Sequence, residues 1–245
     1  MQSACALETP VAASCPRSRK LPRIGTLESE FRDFIASDDF PCVGSKLALA
    51  RGGLRAVELA PLGDVSNDAL LLDTLVVFAR HLDAGKEDST DVHSLVALFH
   101  GPCSMDEPAF ERQLWNQLQR LHDLDVARGT GWAPDVDRDP ASPRFSMSLA
   151  GHPFFIIGLH PGSSRLARRF AAPALVFNSH RQFNRLREDG RFAKMQKATR
   201  ARDIALQGSI NPNLSDHGEA SEARQYSGRA VEAGWRCPFR ARSSA

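Results

Sequence analysis

The sequence predicts an α+β fold: a single domain with a central mixed or antiparallel sheet flanked by helices. The chain of 245 residues is 42% apolar, which is enough for a sizeable core. Apolar residues at helical spacing alternate along the chain with short apolar runs that are typical of strands. The pair Ala150-Gly151 separates two such runs and indicates a hairpin, and hence antiparallel pairing. The pattern contains no internal repeat, so residues 26–245 are assigned to one domain.

Apolar stripes and capping residues indicate the helices. Thr26 is a good N-cap for the first of them, and the stripe of Phe110, Leu114 and Leu118 is the clearest amphipathic pattern in the chain. Helices are expected over residues 28–35, 45–51, 68–82, 107–124, 181–186 and 191–205.

Short apolar runs bounded by Gly, Pro and Asp indicate the strands, which are expected over residues 54–59, 92–99, 144–149, 153–159 and 173–177. Two stretches remain without a predicted element. Residues 1–25 are rich in Ala, Ser, Pro and Arg and are expected to form a disordered leader. From Gln207 onward the chain is polar and rich in turn residues, with too little apolar content for a core element.

Composition narrows the classes of function. A net charge of +2 gives no general attraction to nucleic acid or to an anionic membrane, so neither is an expected partner. No segment is apolar enough to span a bilayer, and a soluble, cytoplasmic protein is expected. Five widely spaced cysteines are expected to be free thiols. The motifs of P-loop NTPases, Rossmann dehydrogenases, zincins and nucleophile-elbow esterases are absent.

The strongest local signal is the segment that follows the apolar run Phe154 to Ile157. His160 stands at the predicted strand exit, and Pro161 holds it in an extended conformation. A neutral imidazole in that position can ligate a metal or haem iron, or act as a general base. At this spacing Arg165, Arg168 and Arg169 are expected to share or adjoin one helix face, which suits a carboxylate or a propionate. A turn histidine and a solvated basic face are the structural alternatives.

Further candidates lie on other elements. His122 flanks the apolar stripe of the long helix, and His180 lies near a helix start, which favours the neutral, ligand-competent ring. Cys237 precedes a proline, on a turn from which a thiolate can reach haem iron. The carboxylates of Asp216, Glu219 and Glu222 suit a cationic group such as a guanidinium, although a solvent-facing loop explains them equally well.

These residues also carry a family resemblance. The blocks Phe40 to Gly44, Gly158 to Pro161, Ser221 to Arg229 and Trp235 to Phe239 resemble the YqcI/YcgG family, and within it the haem-dependent guanidine N-hydroxylases of guanitoxin biosynthesis. The likeness covers roughly residues 40 to 239. It implies a haem b protein that uses dioxygen and an external reductant to hydroxylate a guanidino nitrogen. A non-catalytic haem or small-molecule binding protein of the same family is the alternative.

The resemblance and the His- and Arg-rich strand exit together suggest roles for particular residues. His160 is expected to be the axial iron ligand, with His122, His180 and Cys237 as rivals. The residues expected to bind the cofactor are His160, Arg165, Arg168, His180 and Trp115. Glu222, Arg224 and Tyr226 are expected to act on the substrate, with Glu222 holding its cation.

Overall fold

The computed structural model describes residues 26–85, 92–214 and 219–242. The leader assigned to residues 1–25 and the carboxylate of Asp216 lie outside this part of the chain. The described helices are α1 (Leu27–Ala36), α2 (Val43–Ala50), α3 (Asn67–Ala84), α4 (Glu107–Ala127), α5 (His180–Glu188) and α6 (Arg191–Gln207). The described strands are β1 (Leu54–Leu59), β2 (Ser94–Phe99), β3 (Met147–Leu149), β4 (His152–Leu159) and β5 (Ala174–Ser179).

The five strands form one open mixed sheet in the order β1-β2-β5-β4-β3. Strands β1 and β2 pair parallel, whereas β2 with β5, β5 with β4 and β4 with β3 pair antiparallel. The predicted α+β class is therefore confirmed, with a sheet that is mixed rather than wholly antiparallel.

Helices cover both faces of the sheet. Helices α3 and α4 pack on one face through a large cluster that includes Leu75, Phe110 and Phe177. Helix α1 packs on the other face through Phe31 and Ile35. The central strands are buried on both sides, and every residue of β2 and β5 is buried. Such strands contain continuous apolar runs because neither of their faces meets water.

The predicted hairpin joins β3 to β4. Ala150 and Gly151 both have positive φ, at 54° and 69°, which a tight two-residue turn requires. The Asp125 carboxylate at the end of α4 accepts a hydrogen bond from the Ala150 amide at 2.7 Å. This contact fixes the hairpin against α4.

Two expectations about the chain are wrong. The polar segment after Gln207 was expected to supply no core element, yet it contains a 3₁₀ turn at Glu222–Gln225, and Tyr226 behind it is fully buried. One tyrosine with a long side chain is enough to anchor a segment that has no apolar periodicity. The cysteines were expected to be free thiols, but Cys103 is disulfide-bonded, whereas Cys42 and Cys237 are free.

Helix α6 differs from the other helices because none of its residues is buried. Phe192 and Met195 are partly buried against a small cluster around Leu186. At its C-terminal end, Gln207 accepts a hydrogen bond from the Leu166 amide and donates one to the Ser164 carbonyl. The helix is therefore attached to the segment after β4 mainly by polar contacts. Across the described ranges, no helix is long and apolar enough to cross a membrane.

Gly158 allows β4 to pack closely on α4. A Cβ built on Gly158 would lie 2.7 Å from both Leu114 Cδ1 and Phe110 Cε1, which is closer than real Cβ contacts. The absence of a side chain at this one position therefore sets the distance between the strand and the helix.

Gly158→Ala is expected to lower the free energy of unfolding by about 1–3 kcal/mol, because the added methyl group overpacks the core. Urea denaturation measures the change. Gly234→Ala is the matched control, since its Cβ would meet nothing within 4 Å. Equal stabilities of the two variants would contradict the role given to Gly158.

Candidate functional site

His160 lies at the exit of β4, against α4. Its imidazole stacks on Phe110, with ring centroids 4.2 Å apart and 18° between the planes. The residue is 1% exposed, and neither ring nitrogen has a hydrogen-bond partner among the described residues. Burial lowers the pKa of His160, while Glu107, Asp106 and the nearby Met105 carbonyl oppose that shift. The Met105 carbonyl can only accept from a ring N–H, so the other nitrogen of the neutral ring keeps an unused lone pair.

Two further polar side chains lie beside His160. Ser163 is 1% exposed, and its hydroxyl has no partner in the described part of the chain. The Arg168 guanidinium donates to the carbonyls of Gly158 at 3.2 Å and Tyr226 at 3.0 Å. Burial lowers the pKa of Arg168 to about 10, which leaves it charged at neutral pH. We call His160, Ser163 and Arg168 the strand-exit cluster.

The Arg165 guanidinium is not available to the strand-exit cluster, because it already has other partners. Its guanidinium pairs with Asp203 of α6 at 2.5 Å and donates to the hydroxyl and the carbonyl of Ser209. The sequence suggested that Arg165 and Arg168 share or adjoin a helix face. The structure has only a three-residue 3₁₀ turn, Leu166–Arg168, which points the two side chains to different partners.

Tyr226, Glu222 and His180 form a second group, the Tyr226 network. The fully buried Tyr226 hydroxyl accepts from the Met147 amide at 3.1 Å and donates to Glu222 Oε1 at 2.6 Å. Glu222 Oε2 lies 3.5 Å from His180 Nδ1. Burial, followed by the Glu222 charge, raises the pKa of Tyr226 well above its ordinary value. The phenol therefore keeps its proton and holds the carboxylate in place.

The strand-exit cluster and the Tyr226 network meet at the backbone of Tyr226. Its carbonyl accepts from Gly158 N–H at 2.7 Å as well as from Arg168. Trp115 of α4 stacks on the Tyr226 ring at 5.5 Å, and its indole N–H has no partner within the described ranges. The structure thus joins six of the predicted site residues through contacts: His160, Arg168, Trp115, His180, Glu222 and Tyr226.

Three other candidate residues belong to neither of these two groups: Arg224, Cys237 and His122. Arg224 donates to the carbonyl of Glu232 at 2.7 Å and lies over the Trp235 ring, so it holds the C-terminal segment. Burial raises the pKa of the Cys237 thiol to about 12, which disfavours the thiolate that iron ligation needs. His122 Nε2 accepts from the Arg242 amide at 2.8 Å and is already occupied. Of the four candidate iron ligands, His160 is the one with both ring nitrogens unpartnered within residues 26–85, 92–214 and 219–242.

A comparison with protein-family models identifies the chain. The model described as the YqcI/YcgG family matches residues 31–240, which include the strand-exit cluster and the Tyr226 network. The chain belongs to the YqcI/YcgG family. No curated protein and no solved structure matches it. The predicted family is thereby confirmed.

The span that matches the YqcI/YcgG model also contains a hydrogen-bond chain that the sequence did not predict. The Ser179 hydroxyl donates to His152 Nε2 at 2.8 Å, and His152 Nδ1 donates to Asp83 Oδ1 at 3.0 Å. These distances resemble those of a Ser-His-Asp triad. However, the Ser179 hydroxyl is also the N-cap of α5, where it accepts from the Gln182 amide at 3.3 Å, so its donor and acceptor groups are both used within the protein. The chain instead ties β4 and β5 to α3.

His152 makes stability depend on pH. Burial lowers its pKa, Asp83 opposes the shift, and Arg181 adds to it. The unfolded chain takes up a proton near the ordinary histidine value of about 6.5 while the folded chain does not, so acidification favours unfolding. The free energy of unfolding should therefore fall as the pH drops from about 7.5 to about 5.5.

His152→Gln should remove part of that slope, as measured by urea denaturation at several pH values. The control is His100→Gln, because the His100 side chain is 54% exposed and pairs only with Glu58 in the described residues. A His152→Gln protein that keeps the full wild-type slope would exclude this assignment.

Proposed function

We propose that this protein is a haem-dependent, dioxygen-using N-hydroxylase of a guanidino amino acid or a related guanidine compound. Membership of the YqcI/YcgG family supports the proposal, together with the resemblance to guanidine N-hydroxylases. The observation that carries it is the buried His160 ring, neither of whose nitrogens has a hydrogen-bond partner in the part of the chain that the structure describes. A cytoplasmic location, where a cellular reductant is at hand, belongs to the same proposal.

The residues at the exit of β4 fit one side of a haem site. A buried neutral imidazole with an unused lone pair is the donor that haem iron takes as a proximal ligand. Arg168 adds a partly buried cation that donates to two backbone carbonyls, and its remaining N–H groups suit a propionate. Arg165 does not add a second cation, because Asp203 already pairs with it. The described residues contain no cluster of three or more metal-ligating side chains, but haem brings its own nitrogens and needs only one or two ligands from the protein.

Bound haem supplies the dioxygen chemistry of a monooxygenase. Overall, one oxygen atom enters an N–H bond of the guanidino group and the other is reduced to water. Two electrons come from an external donor and two protons from the solvent. The residues of this chain bind and orient the cofactor and the guanidino substrate. His160 and Arg168 hold the cofactor.

Glu222 is the counter-ion offered to a substrate guanidinium. Its side chain is 13% exposed, and its Oε1 is fixed by the Tyr226 hydroxyl. His180 Nδ1 lies 3.5 Å from Oε2, the oxygen that a cation would approach. A substrate guanidinium replaces this weak contact of Oε2 with a stronger, charge-assisted hydrogen bond. Because Tyr226 keeps its proton, its hydroxyl donates a hydrogen bond to Glu222 throughout the neutral pH range.

An absorption spectrum tests the cofactor. Protein expressed with a haem supply should show a Soret band, and His160→Ala should lose or shift it. His122→Ala and His100→Ala should keep the wild-type spectrum, because the first ring is occupied by Arg242 and the second is exposed. A wild-type protein without a Soret band would overturn the proposal.

Turnover tests the substrate. With L-arginine, dioxygen and a reductant, mass spectrometry should detect a product heavier by one oxygen atom. Glu222→Gln should lower kcat/KM by about tenfold or more, mainly through KM, since it removes the counter-charge and keeps the hydrogen-bond acceptor for Tyr226. Unchanged kinetics in Glu222→Gln would remove Glu222 from the substrate site.

One observation favours a second candidate, a non-catalytic haem or small-molecule binding protein that acts as a sensor or carrier. Both oxygens of Glu222 already have internal neighbours, the Tyr226 hydroxyl and His180. A protein that binds haem with both axial positions filled by its own side chains, and that gives no hydroxylated product, fits this reading.

A further inference from the structure

Helices α5 and α6 concentrate positive charge on one part of the fold. Residues 180–207 contain eight basic and three acidic side chains, a net charge of +5, whereas the whole chain carries +2. The rest of the chain is therefore net negative. A local excess of one sign attracts a partner of the opposite sign even when the whole protein is nearly neutral. This excess points to an acidic partner.

Three of these cations lie on the solvent side of α6. Lys194, Lys197 and Arg202 are exposed, and none of them forms an ion pair within the described residues. They differ in this respect from Arg191, which pairs with Asp189. We call Lys194, Lys197 and Arg202 the basic face of α6. Its charges are available to a partner because no carboxylate of the described chain neutralises them.

The basic face belongs to the helix that packs against the segment after β4. The Asp203 carboxylate of α6 pairs with Arg165 at 2.5 Å, and the bonds of Gln207 attach the end of the helix to the same segment. Arg165 stands in the chain between two members of the strand-exit cluster. At 3.6 residues per turn, Lys194 lies on the opposite side of the helix from Asp203. One side of α6 therefore contacts the segment that carries the proposed haem site, and the other side meets solvent.

Exposed apolar side chains lie near the C-terminal end of the same helix. Ile204 of α6 is 45% exposed, and Ile210, just after the helix, is 41% exposed. Leu166 is 36% exposed, and its amide donates to Gln207, one helical turn from Ile204. Apolar side chains beside charged ones are the anatomy of a protein–protein interface. Three exposed cations are also few beside the roughly six to ten phosphate contacts of a typical DNA-binding protein, so the surface suits a protein better than a nucleic acid.

Charge also argues against two occupants made of this chain. Residues 1–25 contain four basic side chains and one acidic side chain, so the basic face repels that segment. A second copy placed by two-fold symmetry brings the same patch onto itself, and like charges then oppose each other. The occupant that fits is a separate acidic protein.

We propose that the basic face of α6 docks a small acidic electron-transfer protein, which supplies the electrons of the proposed hydroxylation. The inference rests on the proposed function, because only a redox cofactor at the exit of β4 needs such a donor. In each encounter the reduced partner loses one electron and the bound cofactor gains it. Two encounters supply the two electrons of one turnover. Electron-transfer complexes are small and short-lived, so attraction between opposite charges controls how fast they form.

Isothermal calorimetry on the full-length protein, with and without haem, tests the docking surface. At low salt an acidic plant-type ferredoxin should bind, whereas cytochrome c, which is basic, should not. About 0.5 M salt should weaken the ferredoxin complex by about tenfold or more, because the Debye length there is about 4 Å. Absence of ferredoxin binding, or equal binding at both salt concentrations, would overturn the proposal. So would a DNA duplex of about 20 base pairs that binds more tightly than ferredoxin.

Charge reversal locates the surface. A triple variant with Lys194→Glu, Lys197→Glu and Arg202→Glu should lower the affinity for ferredoxin at low salt by about tenfold or more. The matched control reverses, also to Glu, three exposed arginines that lie outside α5 and α6: Arg80, Arg144 and Arg240. The control has the same net charge as the triple α6 variant and should lose much less affinity. Equal losses in the two proteins would mean an effect of net charge and would contradict docking on α6; their melting temperatures show that both folds are intact.

Anaerobic stopped-flow reduction separates the docking surface from the proposed function. With haem bound, the triple α6 variant should take electrons from reduced ferredoxin about tenfold more slowly than the wild type at low salt. Reduction by dithionite should be the same in both, because a small reductant needs no docking surface. Equal rates with ferredoxin would exclude α6 as the docking side. A protein that lacks a Soret band but still binds ferredoxin through α6 would overturn the proposed function and leave the surface for an acidic protein standing.

Discussion

The close approach of β4 to α4 at Gly158 is the constraint on which both groups of predicted site residues depend. Because Gly158 has no side chain, Phe110 and Leu114 lie directly against the strand. The same approach brings Phe110 under the ring of His160 two residues later. It also leaves the Gly158 amide and carbonyl accessible to Tyr226 and Arg168. A wider gap between the strand and the helix would separate the imidazole from its stacking partner and loosen the segment that carries Glu222.

Buried polar groups in this protein fall into two kinds. Those of the first kind are fully matched, as in the chain from Ser179 through His152 to Asp83, and they join strands to helices. Those of the second kind have no partner among the described residues, and they include both ring nitrogens of His160 and the Ser163 hydroxyl at the exit of β4. Because an unmatched buried donor or acceptor costs free energy, native proteins keep few of them, and those that remain are commonly completed by a ligand. This difference is the physical basis for placing the proposed function at the exit of β4.

Local signals in the sequence predicted the parts of the structure that local chemistry determines. The hairpin at Ala150-Gly151, the amphipathic α4 and the position of His160 at a strand exit all follow from residues close together in the chain. Arg165 shows where that reasoning stops, because its partner Asp203 is 38 residues away on another element. The hydrogen-bond chain at His152 was missed for the same reason, since Asp83 lies 69 residues from it. Tyr226 lies in a segment without periodicity, and only its size and its single polar tip hinted that it would be buried.

Helix α6 has few of the contacts that usually oppose local unfolding. It buries no residue completely, and its C-terminal end is joined to the segment after β4 by the Arg165–Asp203 pair and the bonds of Gln207. Detaching it exposes little apolar surface, so the free energy of that opening is well below that of global unfolding. Opening also removes Asp203, one partner of the Arg165 guanidinium, whereas the bonds of Arg165 to Ser209 lie beyond the helix. A helix held in this way can open without unfolding the sheet.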